Sequence, residues 1–230
     1  MYAVKNNKNQ RVGFLIHKIN NNNLYIALDT AGASLRSLCD LHGTEYLWQG
    51  TKNGFNLGLP ISFGTADNIL SSNFSLTNKT STSLTLNYND TENDLSLKVV
   101  YELMENTLSI SLFAENLSDT LKEYTLGLKP CFFLPIDEGD SFDDYVIKTK
   151  TQIKTLKDFK ENITELKLEE NALSLYSIES GKGINVSYEG FSECSVLSIK
   201  TDELLCITLK QCDTLLERET KEHSIKISII

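Results

Sequence analysis

Apolar residues recur at every second position along most of this chain, and that spacing restricts it to strands. Leu84, Leu86 and Tyr88 alternate with polar residues, as do Leu95, Leu97, Val99 and Tyr101, and then Leu108, Ile110 and Leu112. Ile184, Val186 and Tyr188 repeat the pattern, and Ile225, Ile227 and Ile229 close it. Successive strand side chains point to opposite faces, so each run offers one apolar face to a core and one polar face to water or another sheet. Turn chemistry separates the runs at Asn89-Asp90, at Glu105-Asn106 and across residues 179–183, where two glycines flank Lys182. Strands joined by so few residues pair as antiparallel hairpins, which predicts a sandwich or barrel. Residues 20–23 read as a further turn. One short helix is allowed within residues 156–177, although Leu166 and Leu168 alternate there as in a strand.

Of the 230 residues, 40% are hydrophobic, ample for a core. There is neither an internal repeat nor a linker rich in Pro, Gly or Ser, so residues 1–230 read as a single domain. The formal net charge of −9 repels phosphate backbones and anionic lipid, which excludes nucleic-acid and membrane-surface roles. The polar stretch from Met1 to Arg11 reads as no signal peptide, and no apolar run approaches the ~20 residues that span a bilayer. The cysteines are Cys39, Cys131, Cys194, Cys206 and Cys212. Their odd number and the lack of a Cys-x-x-Cys pair predict reduced thiols in a cytoplasm, with Cys206 and Cys212 as small buried apolar residues.

Three stretches, in order, resemble the galactose mutarotase (aldose 1-epimerase) family. The first runs from Leu24 through Gly32-Ala-Ser-Leu-Arg-Ser-Leu38 to Gly43-Thr-Glu-Tyr-Leu-Trp-Gln-Gly50. Here Gly32 permits a bend, Leu35 and Leu38 point inward, and Trp48 supplies a buried anchor. The second is Ala114-Glu-Asn-Leu-Ser-Asp119 followed by Tyr124-Thr-Leu-Gly-Leu-Lys-Pro-Cys-Phe-Phe-Leu-Pro135. The third pairs Glu170-Asn-Ala-Leu173 with Leu205-Cys-Ile-Thr208. The resemblance implies an all-β fold, a large antiparallel β-supersandwich with at most one or two short helices, in agreement with the period-two reading.

It also implies a sugar site, and the residues at that site depart from the family pattern. Opening and reclosing a sugar ring at C1 needs a base for the anomeric hydroxyl and an acid for the ring oxygen. The family uses a Glu and two His. Here one His position holds Lys129, the base position holds Thr208 followed by Leu209-Lys210, the sugar-binding Arg position holds Asn68, and the Asp of the Asp-Ala-Leu segment is Asn171. The segment carrying the other His looks deleted after Pro60-Ile-Ser-Phe-Gly64. Threonine is no base near neutral pH, and lysine becomes one only when its pKa falls by several units. Lys129 is the one catalytic candidate. Asp67, Asp213 or Glu203 would have to replace the missing Glu. His17, His42 and His223 read as surface or turn residues, with no metal-ligand spacing and no metal or other cofactor implied.

Asn68, Lys129, Asn171, Thr208 and Lys210 are therefore the expected sugar-binding set, with Phe55, Phe132 or Trp48 available to stack on a sugar face. The reading that follows is a cytoplasmic, catalytically degenerate carbohydrate-binding protein, whose partner is a sugar or sugar phosphate. Two alternatives stay open. One is an active aldose 1-epimerase or hexose-6-phosphate epimerase with a rearranged acid–base pair. The other is a non-enzymatic interaction protein on the same scaffold.

Overall fold

A computed structural model describes residues 15–49, 51–52, 55–56, 59–64, 72–159 and 164–230. In chain order its strands begin with β1 (Ile16–Asn20), β2 (Leu24–Asp29), β3 (Ser34–Asp40), β4 (Thr51–Lys52), β5 (Phe55–Asn56), β6 (Ile61–Gly64) and β7 (Ser75–Lys79). They continue with β8 (Ser83–Asp90), β9 (Leu95–Met104), β10 (Thr107–Asn116), β11 (Lys122–Leu128), β12 (Cys131–Phe133), β13 (Tyr145–Lys148) and β14 (Ile153–Thr155). The last are β15 (Thr164–Leu168), β16 (Ala172–Ser177), β17 (Gly183–Glu189), β18 (Glu193–Ile199), β19 (Leu204–Leu215) and β20 (Thr220–Ile229).

All strand pairing among the described residues is antiparallel. A nine-stranded sheet runs β14-β13-β16-β17-β20-β10-β9-β8-β7. A six-stranded sheet combines the path β15-β18-β19-β11-β6 with β12, which pairs β19. β1, β2 and β3 form a third sheet. The alternating runs behave as their period dictates. Leu108, Ile110, Leu112 and Ala114 on β10 are fully buried, while the residues between them are part-exposed. These inward rows meet Leu126 and Leu128 of β11 and Val196, Ile207 and Leu209 of the neighbouring strands in one core, which Ile26, Leu35 and Leu38 join.

The structure corrects several local expectations. Residues 156–177 hold no α-helix among the described residues. A single 3-10 turn, Leu156–Asp158, precedes β15 and β16, whose alternating Leu168, Leu173 and Leu175 are buried. Asn89 and Asp90 belong to β8, and the turn begins after them, with Asp90 Oδ1 accepting from the backbone N–H groups of Glu92 and Asn93. The expected free thiols of Cys131 and Cys206 are replaced by a disulfide, because the register of β12 and β19 sets these residues opposite each other with Cα atoms 4.1 Å apart. This removes the cysteine argument for a cytoplasm. Cys212 is exposed rather than buried. No helix among the described residues is long and apolar enough to cross a membrane.

β7 ends the nine-stranded sheet, is exposed along its length and carries a bulge between Leu76 and Asn78. Four strands along in the same sheet, His223 of β20 is buried, not a surface residue. Its Nδ1 lies 2.7 Å from the Gly190 carbonyl and its Nε2 lies 2.9 Å from the Tyr124 hydroxyl. A carbonyl can only accept, so Nδ1 carries the proton and Nε2 accepts from the tyrosine. Burial pushes the imidazole pKa down, against the Gly190 bond that raises it. The fold therefore favours neutral His223, and its contribution to stability is present above an ordinary histidine pKa and lost as pH falls below it. Urea unfolding from pH 7.5 to 5 should show a stability loss that shrinks in His223→Gln; equal slopes for both proteins would refute the assignment.

Candidate functional site

The outward face of the six-stranded sheet carries a cleft of about 480 Å³ over β6, β11 and β19. Its geometry follows from register. β11 pairs β19 at Leu128↔Leu209, and the same register resumes at Cys131↔Cys206. Lys129 therefore stands opposite Thr208, and the Lys129 N–H bonds the Pro60 carbonyl at 3.1 Å. One row further along, Ser62, Gly127 and Lys210 lie side by side, with Glu193 of β18 beyond Lys210. Thr125 follows in the next row.

Gly127 shapes the floor. A Cβ there would fall 2.3 Å from Ser62 Oγ. The missing side chain thus lets the Ser62 hydroxyl lie across β11 and keeps the groove between Ser62 and Lys210 open. Lys129 and Thr208 are half-buried, and Lys210 is exposed. Two ammonium groups and three hydroxyls (Ser62, Thr125 and Thr208) consequently face one shallow space.

One end of this face is closed by apolar packing. Cys131, Cys206, Leu204 and Ile199 pack with Trp48, whose Nε1–H donates to the Asp202 carbonyl at 2.9 Å. Trp48 is 9% exposed and Phe132 is fully buried. Both are packing residues here, which overturns their expected role as sugar-stacking rings. The Phe55 side chain lies outside what the structure describes.

Of the five sequence-predicted binding residues, Lys129, Thr208 and Lys210 meet in the cleft. Asn171 does not line it. That residue is exposed just before β16, and its carbonyl accepts the Tyr188 N–H at 2.9 Å. Asn68 and Asp67 lie outside the described residues. Asp213 alternates onto the opposite side of β19 from Lys210, where Lys221 Nζ donates to it at 2.7 Å. That bond and the Thr214 N–H hold its carboxyl below the usual range. Glu203 lines a separate hollow with His42 and Phe133. Neither acid reaches the place of the missing Glu. The sequence reasoning missed Ser62, Thr125 and Gly127, and only the isolated glycine within an alternating strand signalled them.

No protein-family model matches the sequence, and no curated protein does. Solved structures match across almost the whole length. A galactose mutarotase related enzyme from Lactobacillus acidophilus aligns with TM-score 0.81 and 17% identity, over 94% of this chain and 97% of that one. A galactose mutarotase-like protein from Lactobacillus casei aligns with TM-score 0.76 and 16% identity, over 94% and 100%. Another from Clostridium acetobutylicum aligns with TM-score 0.73 and 12% identity, over 94% and 98%. The fold is the galactose mutarotase-like β-sandwich that the ordered motifs implied.

Proposed function

We propose that the protein is a divergent galactose mutarotase-like domain that binds a carbohydrate or sugar phosphate in the β6–β11–β19 cleft without efficient anomer interconversion. One observation carries this reading: among the described residues, the cleft lining supplies amines and hydroxyls but no carboxylate and no imidazole, Glu193 standing outside it on β18 beyond Lys210. Hydroxyls and ammonium groups match the oxygens of a sugar, and Lys129 with Lys210 would also meet a phosphate. Ring opening needs a base at the anomeric hydroxyl, and neither threonine nor an ordinary protonated lysine provides one.

The test is an amide NMR titration with glucose, galactose and glucose 6-phosphate, run alongside polarimetry. Resonances of Ser62, Thr125, Gly127 and Thr208 should shift. Lys129→Ala should weaken binding about tenfold, the effect expected for one charge-assisted hydrogen bond. The approach to anomeric equilibrium should match the uncatalysed rate. An acceleration that Lys129→Ala removes would instead establish an isomerase of the aldose 1-epimerase type. Silence of the cleft toward every sugar would leave the scaffold as an interaction protein.

A further inference from the structure

The cleft over β6, β11 and β19 does not end at Thr125. A further hollow of about 430 Å³ continues from it, and Thr125 lines both. Register sets the two in line on one face of the sheet. Tyr124, Leu126 and Leu128 of β11 are buried, so Glu123, Thr125 and Gly127 turn to the outward face. Beside them on β19 stand Thr214, Cys212 and Lys210 in the same order. Gly64 of β6 flanks Thr125 from the other side, one row beyond Ser62 and Gly127. Gly64, Glu123, Cys212 and Thr214 line the added hollow.

The two hollows make one trough with unlike ends. The inner end abuts the packed cluster of Trp48, Cys131, Leu204 and Cys206 and carries Lys129 and Thr208. The outer end lies at Glu123, which is exposed. From Lys129 to Glu123 the chain advances by ~20 Å at the rise of an antiparallel strand. Among the described residues, no large side chain stands between the halves. Ser62, Thr125 and Cys212 are short, and Gly64 and Gly127 offer no side chain at all. Cys212 is exposed at the junction, with its Sγ 3.6 Å from Thr125 Oγ1. Each half alone falls within the roughly 300–1,000 Å³ of a small-molecule pocket, so one hexose at the inner end leaves the outer half unfilled.

We propose that the trough takes the end of an oligosaccharide, with the terminal unit at Lys129 and Thr208 and the following units running outward over Cys212 to Glu123. This rests on the carbohydrate reading of the cleft and names the class of carbohydrate. The closed inner end fits a chain terminus, and the open outer end lets the chain continue into water. The outer half suits neutral sugar units. Their hydroxyls can donate to the Glu123 carboxylate and exchange hydrogen bonds with the Thr125 and Thr214 hydroxyls, whereas a phosphate there would meet the carboxylate's charge. Lys129 and Lys210 confine any anionic group of the ligand to the inner end.

Amide NMR titrations of the full chain with glucose, maltotriose and cellotriose test this. Glucose should shift the inner residues Ser62, Gly127 and Thr208. At least one trisaccharide should also shift Gly64, Glu123, Cys212 and Thr214, and should bind about tenfold more tightly than glucose through its added hydrogen bonds. Cys212→Ile places a branched apolar side chain over the junction and should remove that gain while leaving glucose affinity unchanged. Glu123→Gln, also at an exposed position, serves as a second variant and should reduce the gain without altering glucose binding. Equal affinity for glucose and both trisaccharides, with shifts confined to the inner residues, would overturn the proposal and leave the cleft reading intact. A gain that persists undiminished in both variants would overturn it as well. Silence toward all three sugars would sink the cleft reading itself, and this inference with it.

Discussion

Asn116→Ala is expected to lower the free energy of unfolding by about 3 kcal/mol, measured by urea denaturation at neutral pH. Asn116 is fully buried at the end of β10. Its Nδ2 donates to the Thr120 carbonyl at 2.7 Å and to the Leu216 carbonyl at 2.9 Å. Its Oδ1 accepts from the Ser118 N–H and hydroxyl at 2.9 and 2.8 Å. One amide thus fixes the β10–β11 connection and ties it to the turn between β19 and β20. Alanine would strand several of these partners together, each worth roughly 1 kcal/mol net, and so the loss should approach their sum. A change under about 1 kcal/mol would mean that water replaces the amide without cost.

Gly183→Ala should be at least as damaging, by about 3 kcal/mol or through failure to fold. Gly183 opens β17 and faces Tyr176 of β16. Its N–H and carbonyl both bond Ile230, each at 3.0 Å. A Cβ would fall 2.1 Å from the Leu175 carbonyl and 2.6 Å from Tyr176 Cα. These are backbone atoms held on both sides by strand pairing, so no side-chain rotation relieves the clash. Gly181→Ala is the control. That glycine has φ +75° but open space around it, so the cost should be only the ~1–2 kcal/mol of a left-handed non-glycine residue. Thermal denaturation of the two variants side by side distinguishes crowding from conformational strain.

These positions show what was legible in the sequence. Alternation read the strands correctly because a half-buried sheet enforces period two at every residue. The ordered motifs read the fold because their residues are structural fasteners. Asn116 is one. Glu45 is another, its carboxylate accepting from the backbone N–H groups of Leu38 and Leu47 at 3.0 and 2.9 Å. The site was legible only in part. Lys129, Thr208 and Lys210 converge because the paired strands β11 and β19 carry them in fixed register. Asn171 sits at a connection, where neither alternation nor motif order fixes direction. The Cys131–Cys206 pairing and the meeting of Gly127 with Ser62 are facts of long-range register, which no local pattern encodes, whereas His223 stands two residues before Ile225 on the buried face of the same alternation. Gly183 was read as the end of a turn and proved to be the first residue of a strand.

The last strand of the large sheet has a consequence for how this acidic chain behaves in company. An open row of strand N–H and C=O groups is a template on which another chain can pair. On β7 the bulge sets Thr77 outside the regular ladder, twists the strand, and is followed by Lys79 near its end. A foreign strand approaching this border would meet an interrupted donor–acceptor pattern and a charge it must desolvate. The rim of the sheet thus discourages strand addition through a single inserted residue, alongside the repulsion of an overall negative charge.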